Sequence, residues 1–208
     1  MNSSTRSRLY FVTFLTFVRF PLVLLFFVAA LVNAWHYETW LFSLALGSLI
    51  TSAVTDMFDG YFARRFDVVT GFGEHADPLM DKFYYLVTLP LLVFLAAKND
   101  HEQHAVVLLV MTLLFLIRDQ WVTFLRSIGS MYNVSGGANW AGKLRTILNF
   151  PLICTIYHVE GCRFQFVPLN LLYCYEALGV LMTLLSIYIY TRNYWPSLIK
   201  SAQPKNQS

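Results

Sequence analysis

The sequence predicts an all-α integral membrane protein, a bundle of six transmembrane helices, and three of its features carry that expectation. Charge is scarce: Asp, Glu, Lys and Arg make up 13% of the 208 residues, against 57% hydrophobic, where a soluble domain carries about 25% charged residues. The mean hydropathy of +0.52 agrees. Apolar residues come in long runs that are apolar all round rather than on one stripe, which excludes a bundle of water-soluble helices. Finally, the cations fall on alternate loops.

Crossing the hydrocarbon takes about 20 mostly apolar residues. Six segments meet that need: 9–32, 40–63, 82–98, 104–128, 144–160 and 168–191. The first follows Arg6 and Arg8 and has an apolar run from Phe20 to Val32. No small-residue cleavage site comes after that run, so it reads as a retained span and not a secretory leader. Arg6, Arg8, Arg64, Arg65, Lys82, Arg126, Lys143, Arg145, Arg192, Lys200 and Lys205 fall on one side of this layout, and Lys98 and Arg163 on the other. Such asymmetry predicts that both termini are cytoplasmic. The membrane domain is expected over 1–195. Behind it, 196–208 is polar with two prolines and reads as a disordered tail. No dense basic face suggests nucleic acid, and Cys154, Cys162 and Cys174 have neither metal-like nor redox spacing.

The charges that intrude on the spans point to chemistry. A carboxylate deep in a bilayer costs about 2.5–3.5 kcal/mol on insertion scales and marks function by default. The second span ends with Asp56 and Asp59, and the third is entered through Asp77 and Asp81. On a helix Asp56, Asp59, Gly60, Ala63 and Arg64 share one stripe, as do Gly73, Asp77 and Asp81 on the next. The segment 65–72, with Thr70 and Gly71, can turn the chain back, so the two stripes face each other and the carboxylates converge. Oxygen-only donors suit hard divalent cations such as Mg2+, Mn2+ or Ca2+ rather than zinc, with Mg2+ or Mn2+ the expected cofactor. Four carboxylates can balance two such ions, the arrangement that clamps phosphoryl displacements. The small residues on the same stripes leave room for a base and ribose, and Arg64 offers a fork for phosphate.

The run from Asp56 to Asp81, DMFDGYFARRFDVVTGFGEHADPLMD, resembles the signature of the CDP-alcohol phosphotransferases, D-x2-D-G-x2-A-R-x8-G-x3-D-x3-D. Every specified position is filled. The resemblance implies metal binding by Asp56, Asp59 and Asp77. It implies that Asp81 is a general base that also touches metal, and that Asp56, Gly60, Ala63, Arg64 and Gly73 hold the CDP headgroup. It further implies a homodimer, CDP-diacylglycerol as donor, and a polar cavity on the cytoplasmic side. A bacterial cytoplasmic membrane is the expected location, since the N-terminus is short and shows no organelle transit segment.

The acceptor must be read outside that motif. Arg118 and Arg126 are eight residues apart on one helix face, and Lys143 and Arg145 sit at the start of the fifth span. These four cations suit a phosphorylated acceptor. The segments LTFVR, ADPLMDK, RDQWVTFLR and GKLRT are similar to those of the branch that transfers to glycerol 3-phosphate. Asp119, Arg145 and Met80 depart from that branch, which more often carries Glu, Lys and a small residue there. A CMP-forming cardiolipin synthase and a phosphatidylinositol-phosphate synthase stay open as alternatives. A small cation transporter is the reading from a different class, although it would spread its carboxylates through the membrane depth. Asp119 reads as an ion-pair partner and His75 as an interface histidine. Arg19 is open between a packing cation and a ligand for an anionic headgroup, and Glu176, within the sixth span, needs either a protonated state or a partner.

Overall fold

The computed structural model describes residues 3–66, 71–132, 140–163 and 166–203. These form six α-helices: α1 (Ser3–Trp35), α2 (Thr39–Arg65), α3 (Gly71–Lys98), α4 (Glu102–Met131), α5 (Trp140–Gly161) and α6 (Leu169–Ala202). No strand occurs among the described residues, as a chain in lipid requires, since a helix satisfies its backbone polar groups within itself. Five of the helices, α1 to α4 and α6, are long and apolar enough to cross a membrane. The exception is α5, where Arg145, Thr146, Asn149, His158 and Glu160 interrupt the apolar residues. The sixth expected span is therefore a helix of the right place but more polar than its neighbours. The turn expected around Thr70 lies outside the described residues.

The chain packs as two compact units. One comprises 1–109 and 153–167, the other 110–152 and 168–208. The sequence shows no linker there, and the division falls inside α4 and α5.

In the first unit α1 packs against α2 and α3. Its buried residues are Thr16, Arg19, Val23, Phe26, Ala29, Ala30 and Asn33, which follow one face of the helix. Its other faces carry Tyr10, Phe14, Phe17, Leu24 and Val28, all exposed, as suits a helix bathed in lipid. On α2 the matching stripe runs through Ala45, Leu49 and Ser52 to Asp59. The α1 seam is thus apolar at its middle and polar at its ends, and the buried charge of α2's seam lies at one end.

The opposite end is tied by hydrogen bonds. Asn33 donates from Nδ2 to the Gly161 carbonyl at 3.0 Å and accepts from the Glu38 N–H at 3.2 Å. After α3 the chain reverses through Asp100 with φ of 60°. There the His101 N–H reaches the Ala96 carbonyl and the Asp100 N–H the Ala97 carbonyl, the paired bonds of a left-handed helix cap. That cap delivers Asn99 and His101 to the carboxylate of Glu160. Asn99 Nδ2 donates at 3.0 Å, and the Nδ1 atoms of His101 and His104 lie 3.1 and 2.5 Å away.

In the second unit α4 and α6 enclose Val122, Leu125, Tyr190 and Tyr194, with Leu198 beside them. Gly129 lets α6 approach, because a Cβ there would stand 2.3 Å from the Tyr194 ring. This packing corrects the expectation of a disordered tail from residue 196. The helix continues through Pro196 to Ala202, held by burial of Tyr194 and Ser197. Residues 204–208 lie outside the described residues.

Glu160→Ala removes the acid that buried His104 meets, a loss of about 1–3 kcal/mol for a buried group left unsatisfied, while the more exposed His101 and Asn99 can turn to water. We expect the thermal unfolding midpoint of the detergent-solubilised protein to fall by several degrees. An unchanged midpoint would show that the cluster holds nothing together.

Candidate functional site

Asp56 and Asp59 extend the buried seam of α2, and Asp81 stands one turn into the described part of the α3 seam. All three meet Arg19 of α1. Its Nη1 bonds to Asp56 and lies 3.6 Å from Asp81, and its Nη2 donates to Asp59 at 3.1 Å. Thr16, one turn earlier on α1, donates to the same Asp59 oxygen at 3.1 Å. The guanidinium suits this place because its planar fork can serve several carboxylates at once. Accessibility differs sharply among the acids: the side chains of Asp59, Asp56 and Asp81 are 4%, 18% and 40% exposed. Asp59 is enclosed, whereas Asp81 can be reached from outside.

Aromatic rings wall this end of the unit. Phe62 of α2 meets Phe11 of α1 and stacks with Phe58 and Phe66, and Phe20 of α1 stacks on Phe83 of α3 at 4.5 Å between centroids. The helices that carry the acids are therefore pinned to α1 on both sides of Arg19.

The side chains of Gly60, Ala63, Arg64, Gly73, His75, Asp77 and Lys143 lie outside the described residues. Among the described residues, no three His, Cys, Asp or Glu side chains are arranged to hold a metal ion. The donor chemistry nevertheless fits a hard cation, since three carboxylates from two helices already converge on one positive group.

The cations expected to meet an acceptor phosphate gather in the second unit. Arg118 and Arg145 both donate to Asp119 Oδ1, at 2.9 and 3.0 Å. Arg118 also donates to Ser186 at 2.6 Å and Arg145 to Thr183 at 3.3 Å. Arg126 donates to the Tyr190 hydroxyl at 3.1 Å, and both Arg118 and Arg126 lie over the Tyr190 ring. Two of these three guanidiniums thus share the Asp119 carboxylate, and the third rests on a neutral hydroxyl, so the cations outnumber that acid. Arg145 is buried against Phe115, while Arg126 is half-exposed. The expectation that Asp119 is an ion-pair partner is met, and it serves two arginines at once.

Two residues of the aspartate cluster had weak signals in the sequence. Arg19 was noticeable only as a lone charge inside a span, and Thr16 only as part of LTFVR. Their partners on α2 lie 37 to 43 residues away and Asp81 further still, beyond any helical spacing rule.

These features define a helical membrane protein with an acidic cluster at the end of one helical seam and a separate arginine cluster. The family model for CDP-alcohol phosphatidyltransferases matches residues 10–190, and the chain belongs to that family. Similar proteins include those named CDP-diacylglycerol–glycerol-3-phosphate 3-phosphatidyltransferase in Rickettsia bellii, Rickettsia typhi and Bacillus subtilis. The first is 31% identical over 127 residues, 60% of this chain and 65% of the relative. The second is 34% identical over 119 residues, 56% and 62% of the two chains. The third is 33% identical over 97 residues, 47% and 46%. The chain therefore spans less than two thirds of the length of these relatives.

Asp119→Leu leaves two buried guanidiniums without their shared partner, and breaking a buried pair in this way costs about 3–5 kcal/mol. Ser186→Ala removes one hydrogen-bond acceptor from Arg118 and should cost about 1–3 kcal/mol. Thermal unfolding of both variants checks the order, and equal midpoints would contradict the shared-carboxylate arrangement.

Proposed function

We propose that this chain transfers the phosphatidyl group of CDP-diacylglycerol to glycerol 3-phosphate, forming phosphatidylglycerophosphate and releasing CMP. The observation that carries the reading is the convergence of Asp56, Asp59 and Asp81 on one cationic point. It occurs in a chain matched by the family model over most of its length. The names of the relatives favour glycerol 3-phosphate as acceptor.

In this reading Asp56, Asp59, Asp77 and Asp81 would hold one or two divalent ions, Mg2+ or Mn2+. When bound, these supply charge neutralisation for the diphosphate and for departing CMP. Gly60, Ala63, Arg64 and Gly73 receive the CDP headgroup. Asp81 accepts the proton of the acceptor hydroxyl, and its exposure supports that role, since a general base must be within reach of an incoming alcohol. The hydroxyl oxygen then forms a bond to the lipid-bearing phosphorus, and the bond from that phosphorus to the CMP oxygen breaks. Surplus positive charge around Arg118, Arg126, Lys143 and Arg145 holds the phosphate of the acceptor, with Arg126 the more accessible and Arg145 a positioning partner of Asp119. The enzyme works as a homodimer in a bacterial cytoplasmic membrane with both termini on the cytoplasmic side, an orientation supported by the uneven placement of Lys and Arg.

Purified protein given CDP-diacylglycerol, Mg2+ and separate acceptors should release CMP with glycerol 3-phosphate, and EDTA should stop it. Release with phosphatidylglycerol or inositol phosphate instead would overturn the acceptor. Asp81→Asn should lower the rate about 10²–10⁴-fold, the usual contribution of a general base, with the unfolding midpoint little changed. Arg126→Ala should raise the KM for glycerol 3-phosphate more than it lowers kcat.

A further inference from the structure

Arg19 stands where three carboxylates converge. It lies 5% exposed on α1 and contacts carboxylates from α2 and α3 that repel one another at close range. Thr16, one turn away, fixes Asp59 from the same helix. The carboxylates that face the guanidinium are also the ones that would ligate a divalent ion. A carboxylate can serve both only by dividing its lone pairs, so engagement of Arg19 and uptake of metal must be thermodynamically coupled, and the coupling is reciprocal.

We propose that Arg19 is a positioning residue that acts as the resident counter-cation of the aspartate cluster. It gathers Asp56, Asp59 and Asp81 before divalent ions arrive and gives up part of its contacts when they bind. This rests on the reading of the cluster as a metal site. Arg19 lowers the affinity for the first ion and in exchange keeps the acids together in the metal-free chain. A ligand for substrate alone would influence neither property.

The test uses the full chain in detergent, with Mn2+ as the only added ligand. Titration followed by the loss of the free-ion EPR signal gives affinity, and thermal unfolding with and without Mn2+ gives stability. In Arg19→Met, which keeps the length of the stem and removes the charge, we expect Mn2+ to bind roughly tenfold more tightly, within the usual range for coupled sites. The metal-free midpoint should fall, and Mn2+ should restore more of it than it adds to the wild type. Arg19→Lys keeps a charge but loses the fork, and should fall between the two. It also serves as the reporter should the Met variant not fold. Unchanged or weaker binding in these variants, with normal binding by the wild type, would overturn the role of Arg19 alone. A wild-type chain that takes up no Mn2+ would overturn the metal reading and this inference with it.

Discussion

The charge balance around Arg19 is the constraint from which the arrangement of the first unit follows. Three carboxylates brought together at the end of two apolar helices repel each other and lose hydration. Burying an ion of this kind costs several kcal/mol even after relaxation. A cation must be placed among them, and α1 provides it through one residue on its buried face. That requirement fixes the rotation of α1 about its axis, because Arg19 must point inward. Once it does, Thr16, Val23, Phe26, Ala30 and Asn33 follow it into the interior by helical periodicity.

Polar contacts carry this positional information because the apolar ones cannot. Lipid tails are as apolar as leucine, so burying a leucine between helices gains little over leaving it in the bilayer. A helix such as α1, with aromatic and aliphatic residues on every face, has no preferred side by hydrophobicity alone. The buried polar groups supply the preference: Arg19 and Thr16 at one end of α1, Asn33 at the other, Glu160 at the corner between α3 and α4. The second unit repeats the principle, with Asp119 and Ser186 setting the register of α4 against α5 and α6. Each of these groups is costly if left unsatisfied, and so each selects one packing among many that the apolar surfaces would tolerate.

Much of this was legible in the sequence, and the reason is period. Carboxylates three and four residues apart must share a helix face, so the convergence of Asp56 and Asp59 followed from their spacing. The same reasoning put Arg118 and Arg126 on one face, and the structure brings both to Tyr190. What spacing cannot reveal is a partner on another helix. The role of Arg19 depends on contacts to residues 37 and 40 positions away, and that of Glu160 on residues 56 to 61 away. Nothing local in the sequence distinguishes those pairings from alternatives. The course of α6 beyond Pro196 was misjudged for a related reason. Polarity and proline argue locally for an end, but Tyr194 and Ser197 are held by packing.

Acids of one chemical kind need not do one job, and the surroundings of Asp59 and Asp81 differ. Asp59 is nearly closed off, with one oxygen taken by both Arg19 and Thr16. An acid so fully engaged is held still, which suits a ligand or an electrostatic anchor and hinders proton transfer to a visiting molecule. Asp81 is the reverse: its contact with Arg19 is an ion pair at 3.6 Å, too long for a good hydrogen bond, and two fifths of its side chain is open. It has the access that a base requires. The division is the same one by which a pair of carboxylates in a single active site can take unlike roles, set by environment and not by residue type. Here that environment is built by the helix packing, since α1 shields the acids of α2 while leaving the edge of α3 exposed.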